Sequence, residues 1–247
     1  MHRTTTRERK WPRLLLEGLK ARAAIELDRA KAHYLQNVMR LKVGDQIRLF
    51  NGDDGEWLAS INEIGRKSFK LQITEQLRPP KDEPGPTLLF AAIKKARMEM
   101  LIEKATELGA KRLMPIKTRR SIVDRINLQR LQAIAIEAAE QCERLTVPEI
   151  VDLQSLEQAL AGWPTDHPLY AADETGGGSP LLEALEPERP AAFLVGPEGG
   201  FDPIELDRLA RISAVVKVDL GPRILRAETA GITMLAGWAF KTLSKHA

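Results

Sequence analysis

The chain has 247 residues, 43% hydrophobic and 29% charged, enough apolar material for one large domain or two modest ones. No apolar run nears the roughly 18–20 residues that span a bilayer. The first residues, from Met1 to Leu19, also lack an apolar stretch with a cleavage site, so neither membrane insertion nor secretion is expected. Cys142 is the single cysteine and His2, His33, His167 and His246 are scattered, so no internal disulfide and no metal site is expected.

The net charge of +3 hides a gradient. Residues 1–80 carry 16 Lys/Arg against 10 Asp/Glu, residues 94–130 carry 11 against 4, and residues 131–247 carry 9 against 18. A basic front and an acidic rear suit docking on a polyanion. Solubility charge spread by chance is the plainer alternative, and charge alone does not separate RNA from DNA or an acidic protein.

In chain order, a helix is predicted from about Asp28, a suitable N-cap, to Arg40. Gln46–Phe50 alternates polar and apolar residues, Asn51–Gly55 supplies a turn, and Trp57–Ile61 and Phe69–Ile73 continue as strands. Together they predict a small β-barrel with one helix. Residues 78–86 then hold four prolines and a glycine, a linker signature.

Beyond it, strand and helix signals alternate. Leu88–Ile93 is an unbroken apolar run, as in a buried parallel strand. Met98, Leu101, Ile102, Ala105 and Leu108 follow at helical spacing, stopped by Gly109. A strand at Leu113–Ile116 and a helix from about Asn127 to Arg144 come next, then apolar strands at 169–172, 191–195 and 215–218. A last helix runs from about Glu228, with Ile232, Leu235, Ala236, Ala239 and Leu243 on one face. The pattern predicts a largely parallel sheet covered by helices.

Ligands in such sheets bind beyond the carboxyl ends of strands. Gly196-Pro197-Glu198-Gly199-Gly200 lies directly after a strand, and Asp202-Pro203 then opens a helix. The stretch from Leu220 to Ala230 follows the next strand. At adjacent strand ends, two such Gly/Pro loops would offer backbone donors and acceptors to a purine and its ribose. Tight connections without function are the alternative for each loop alone. Neither matches the G-x-G-x-x-G or P-loop patterns, which counts against NAD and ATP.

Taken together, Leu194-Val-Gly-Pro-Glu-Gly-Gly-Phe201 and Leu220-Gly-Pro-Arg-Ile-Leu-Arg-Ala-Glu-Thr-Ala230 resemble the signature of RsmE-type ribosomal RNA methyltransferases of the SPOUT superfamily. Glu103–Gly109, Thr118–Ser121, Glu137–Cys142 with Arg144 and Pro148, and in the first domain His33–Leu35 and Val38–Asp45 are similar in the same order. The resemblance implies an α/β fold. A PUA-like RNA-binding β-barrel occupies residues 1–78, a linker 79–86, and a SPOUT methyltransferase domain with a mostly parallel sheet and a trefoil knot 87–247. It further implies S-adenosyl-L-methionine as cofactor, a homodimer, and methylation of N3 of a uridine in 16S ribosomal RNA. The lone cysteine and the lack of a secretion signal point to the reducing cytoplasm. Free RNA and the assembled small ribosomal subunit both stay open as substrate, with basic patches on both domains suiting the large folded target. The small residues Ala227, Ala230, Gly231, Ala236, Gly237 and Ala239 would permit helix contact across a dimer or, equally, burial within one subunit.

Cofactor contacts are then expected from Leu194, Gly196, Pro197, Glu198, Gly199, Gly200, Leu220, Gly221, Ile224, Leu225, Thr229 and Ala230, mostly through backbone atoms. Uracil N3 must lose its proton, which calls for a base or a stabiliser of the anion. Arg226, a permanent cation, and Glu228, taking the proton directly or through water, are the catalytic candidates. The alternative for Glu228 is a cap near the positive end of the last helix, with Arg226 as its ion-pair partner. Arg119, Arg120, Arg223, Lys94, Lys95 and Arg97 are RNA-binding candidates, the last three being otherwise a solvated helix end. Cys142 is expected to be core rather than nucleophile. Two rivals are a non-enzymatic RNA-binding or ribosome-assembly factor, which would have no use for the paired loops, and an enzyme using another nucleotide such as ATP.

Overall fold

The computed structural model describes residues 11–65 and 69–243, with the side chain of Leu243 outside that description. Residues 1–10, part of the stretch weighed for secretion, lie outside the described residues, as do His2 and His246. Contacts divide the chain into two units, one of residues 1–82 with 139–147, the other of residues 83–138 with 148–247.

In the first unit, β1 (Arg13–Leu15), β2 (Ala24–Glu26), β3 (Gln46–Asn51), β4 (Gly55–Ile64) and β5 (Phe69–Arg78) form a five-stranded sheet in the order β1-β3-β4-β5-β2. Three register shifts between β4 and β5 bend the two longest strands. The expected helix is present in two pieces. α1 (Arg29–His33) starts where Asp28 Oδ1 accepts from Lys31 N at 2.8 Å, and the chain continues as a π-helical turn, Tyr34–Val38. Leu14, Leu27, Leu35, Ile47, Leu49, Ile61, Phe69, Leu71 and Ile73 make the core. Strands β1 and β2 escaped the sequence reading because three residues cannot display an alternating pattern.

In the second unit a sheet of parallel pairs runs β11 (Ser179–Pro180), β13 (Val215–Asp219), β10 (Leu169–Ala172), β12 (Ala192–Val195), β6 (Thr87–Ala91), β7 (Arg112–Lys117) and β8 (Glu149–Ile150), with β9 (Gln154–Ser155) also on β7. The helices are α2 (Lys95–Glu107), α3 (Leu128–Cys142, of which the residues from Ala139 on belong to the first unit), α4 (Leu156–Leu160), α5 (Leu181–Ala184), α6 (Pro203–Ala210) and α7 (Ala227–Leu243). α2 ends in a Schellman arrangement: Gly109 takes φ +85°, Ala110 N donates to Ala105 O, and Gly109 N donates to Thr106 O.

Three expectations are corrected. β12 and β13 are not neighbours, because β10 pairs with both, so the two glycine loops do not leave adjacent strand ends. The buried face of α7 is Ala227, Ala230, Gly231, Met234 and Leu235, while Ile232, Ala236 and Ala239 remain partly exposed. An added Cβ at Gly231 would lie 3.2 Å from Leu101 and at Gly237 3.0 Å from Leu181, so at these two positions smallness serves close packing within the chain. Cys142 is exposed rather than core, since it ends α3.

Candidate active site

Beyond the carboxyl ends of β12, β10 and β13 lie three loops. After β12, Gly200 adopts φ +67° and its N–H donates to Pro197 O at 2.9 Å, closing a tight turn. Gly196 leaves room for the Phe201 ring, which a Cβ would approach to 2.9 Å. Asp202 caps α6 with Pro203 at its first turn, and Glu205 returns the bond, its Oε2 accepting from Asp202 N at 2.9 Å. The other oxygen of buried Glu205 accepts from Arg119 N at 2.9 Å, and Arg120 Nη1 donates to Gly199 O at 2.6 Å. Thus the segment after β7 braces the glycine loop. Arg119 keeps an exposed guanidinium, 4.0 Å from Asp202 Oδ1.

After β13, Asp219 Oδ1 accepts from Gly221 N at 2.9 Å while Gly221 takes φ +109°, a conformation that favours glycine. Arg223, Ile224 and Arg226 are exposed, Ile224 at 82%, whereas Leu220 and Leu225 are half-buried. Ala230 N donates to Arg226 O, so Arg226 caps the start of α7 through its backbone. Thr229 is exposed and Ala230 buried.

The loop between these two, Asp173 to Gly178 after β10, was missed by sequence reasoning. Its Glu174 Oε1 lies where a Cβ on Gly200 would come to 2.7 Å, and Gly178 sits so close to Val218 that a Cβ would be 2.7 Å from its backbone. Burial raises the Asp173 carboxyl, but hydrogen bonds from Thr175 N–H and hydroxyl together with the Lys217 ammonium outweigh it and hold the group below its usual range. Asp173 Oδ2 is buried without a hydrogen-bond partner among the described residues. The available signal was the run Gly176-Gly177-Gly178 soon after an apolar strand.

The charged candidates group unevenly. Glu228 pairs with Arg97 rather than with Arg226, at 3.6 Å, and Arg97 also pairs with Glu198. Lys94 and Lys95 are exposed at the start of α2, where Lys94 makes no side-chain cap. The side chain of Leu194 is fully buried in the core, so only its backbone could meet a ligand. Two hollows of about 540 and 270 Å³ run along α4 and α6; the second includes Arg119, and the two glycine loops line neither.

This arrangement is matched by two family models. One described as RNA methyltransferase domain covers residues 81–239, and one described as RNA methyltransferase PUA domain covers residues 27–74. The fold and loops therefore define an RNA methyltransferase with a PUA-like sheet domain ahead of an α/β domain. The ribosomal RNA small subunit methyltransferase E of Rickettsia conorii is 39% identical over 206 residues, covering 83% of this chain and 84% of that protein. Its Bacillus subtilis counterpart is 30% identical over 226 residues, covering 86% and 88%. A crystal structure of the Neisseria gonorrhoeae methyltransferase E bound to S-adenosyl methionine superposes with TM-score 0.83 at 28% identity, covering 94% of this chain and 98% of that one. A putative Legionella pneumophila methyltransferase in complex with the same cofactor gives 0.80 at 30%, covering 92% and 96%. The chain belongs to the ribosomal RNA small subunit methyltransferase E family.

Proposed function

We propose that this chain transfers a methyl group from S-adenosyl-L-methionine to N3 of a uridine in 16S ribosomal RNA, acting in the cytoplasm on the small ribosomal subunit. The observation that carries the reading is family membership over most of the chain together with the glycine loops at three neighbouring strand ends. The loops fit an adenosine-type ligand. Gly200 and Gly221 turn the backbone through positive φ. Buried Glu228 and half-buried Asp173 each keep one buried oxygen that accepts no hydrogen bond among the described residues, although the Lys217 ammonium stands 3.6 Å from that of Asp173. Such acceptors suit the N–H and O–H groups of a cationic, hydroxylated ligand.

When bound, the cofactor supplies a methyl group on positively charged sulfur. Gly196, Pro197, Glu198, Gly199, Gly200, Leu220, Gly221, Ile224, Leu225, Thr229 and Ala230, with the backbone of Leu194, are the proposed cofactor contacts. Arg226 has an exposed side chain on a braced backbone, which suits it to stabilise negative charge growing on the uracil oxygens. Glu228 would take the N3 proton. Arg223, Lys94, Lys95 and the Arg119 guanidinium are exposed and suit phosphates. Arg120 is exposed as well but is engaged with Gly199. Residues 1–78 would serve as the RNA-binding module, 79–86 as linker and 87–247 as the knotted catalytic domain. A homodimer would cover the outer face of α7, where Phe240 is 72% exposed.

Calorimetry with S-adenosylmethionine and with ATP tests the cofactor: binding of the first alone is expected, and ATP alone would sink the reading. Mass-spectrometric mapping of modified uridines in ribosomal RNA from a deletion strain, with and without the gene restored, tests the target.

A further inference from the structure

Glu228, in the first turn of α7, is 4% exposed, and Arg97 Nε lies 3.6 Å from its Oε1. Its Oε2 has no hydrogen-bond partner among the described residues. The same guanidinium, from the first turn of α2, pairs through Nη1 with Glu198 in the β12 loop. Burying a carboxylate is unfavourable unless a cation or hydrogen bonds compensate, so the buried state of Glu228 depends on Arg97. The planar fork of arginine presents separate edges to two acceptors, which a lysine ammonium cannot do with fixed geometry.

We propose that Arg97 is a positioning residue that clasps Glu198 and Glu228, so that the glycine loop after β12 and the first turn of α7 take up their places together. The clasp leaves Glu228 Oε2 as an open acceptor aimed by, but not consumed by, the arginine. This deepens the proposed function and rests on its reading of these two segments as the methyl-transfer site.

Hydrogen–deuterium exchange tests the clasp without reference to activity. Arg97→Gln is expected to raise amide exchange in both 196–202 and 226–231, with Arg97→Lys, which keeps the charge but not the fork, restoring only part of the protection; unchanged exchange in either segment overturns the proposal. Kinetics give a second test at saturating S-adenosylmethionine and RNA. Arg97→Gln and Glu228→Gln should each lower kcat by roughly tenfold to a hundredfold, and the double variant should lose no more than the worse single one. Losses that multiply would mean independent residues and overturn the clasp. So would a raised KM for RNA with kcat intact, which would make Arg97 a phosphate contact. Failure of the wild-type protein to bind S-adenosylmethionine would instead sink the methyl-transfer reading, with the exchange result still deciding the clasp.

Discussion

Glu56 is 1% exposed and stands among three guanidinium groups, with Arg13 Nε at 2.7 Å, Arg78 Nε at 2.6 Å and Arg48 Nη1 at 3.6 Å. Arg13 also stacks over the Phe50 ring at 3.8 Å and donates to Ala139 O and Arg144 O, and Arg78 donates to Glu143 O. Burial pulls Arg13 below its ordinary value, with Glu56 opposing the shift. Glu56→Ala leaves buried cations without their counter-ion and should destabilise the first unit by about 3–5 kcal/mol. A urea midpoint within error of wild type would refute that. Asp54 accepts from Asn51 Nδ2 and Leu19 N, bonds that lower its carboxyl below the usual range. Its contribution is therefore present above the unfolded value of about 3.9 and is lost as pH falls through the lower folded value. The acid-side fall in thermal midpoint should be shallower in Asp54→Asn, and an unchanged slope would count against the assignment. At the proposed site, Arg226→Ala should lower kcat on the order of 100-fold with cofactor affinity kept; near-normal turnover at saturating RNA would remove Arg226 from the mechanism.

Between residues and the whole, elements form where local chemistry and distant packing agree. The Asn51–Gly55 turn was legible from its residue types, and its Asn51 Oδ1 accepts from Asp53 N and Asp54 N. Its tightness was not: at Gly55, with φ +84°, a Cβ would lie 2.3 Å from Arg78 O on the neighbouring strand. Gly162 shares a positive φ, +67°, but has nothing within 4 Å of an added Cβ. Gly55→Ala should therefore cost more than Gly162→Ala, by about 1–3 kcal/mol; equal costs in chemical denaturation would mean that backbone conformation alone matters. α2 was legible from spacing and its Gly109 stop, whereas α7 carries apolar residues on more than one face. Packing on α2, β6 and β12 selects the Ala227-Ala230-Gly231-Met234 side, where the small residues let the helix approach its neighbours closely.

For the molecule as a whole, the proposed homodimer predicts roughly twice the 27.6 kDa chain mass in sedimentation equilibrium, and Phe240→Glu should shift it toward monomer; a monomeric wild type would refute the assembly. Local sequence by itself determined the strand–helix alternation, the caps at Asp28 and Asp202, the glycine loops after β12 and β13, and a family resemblance now borne out. These depend on residue conformational preference and on short-range hydrogen bonds, both written within a few positions. Only the tertiary structure decided that β10 stands between β12 and β13, that a third loop at 173–178 lies beside the glycine loop after β12, and that Arg97 meets Glu198 and Glu228. Strand order and ion pairing join residues up to more than a hundred positions apart through burial and desolvation, and no local pattern encodes which distant partner a side chain will meet.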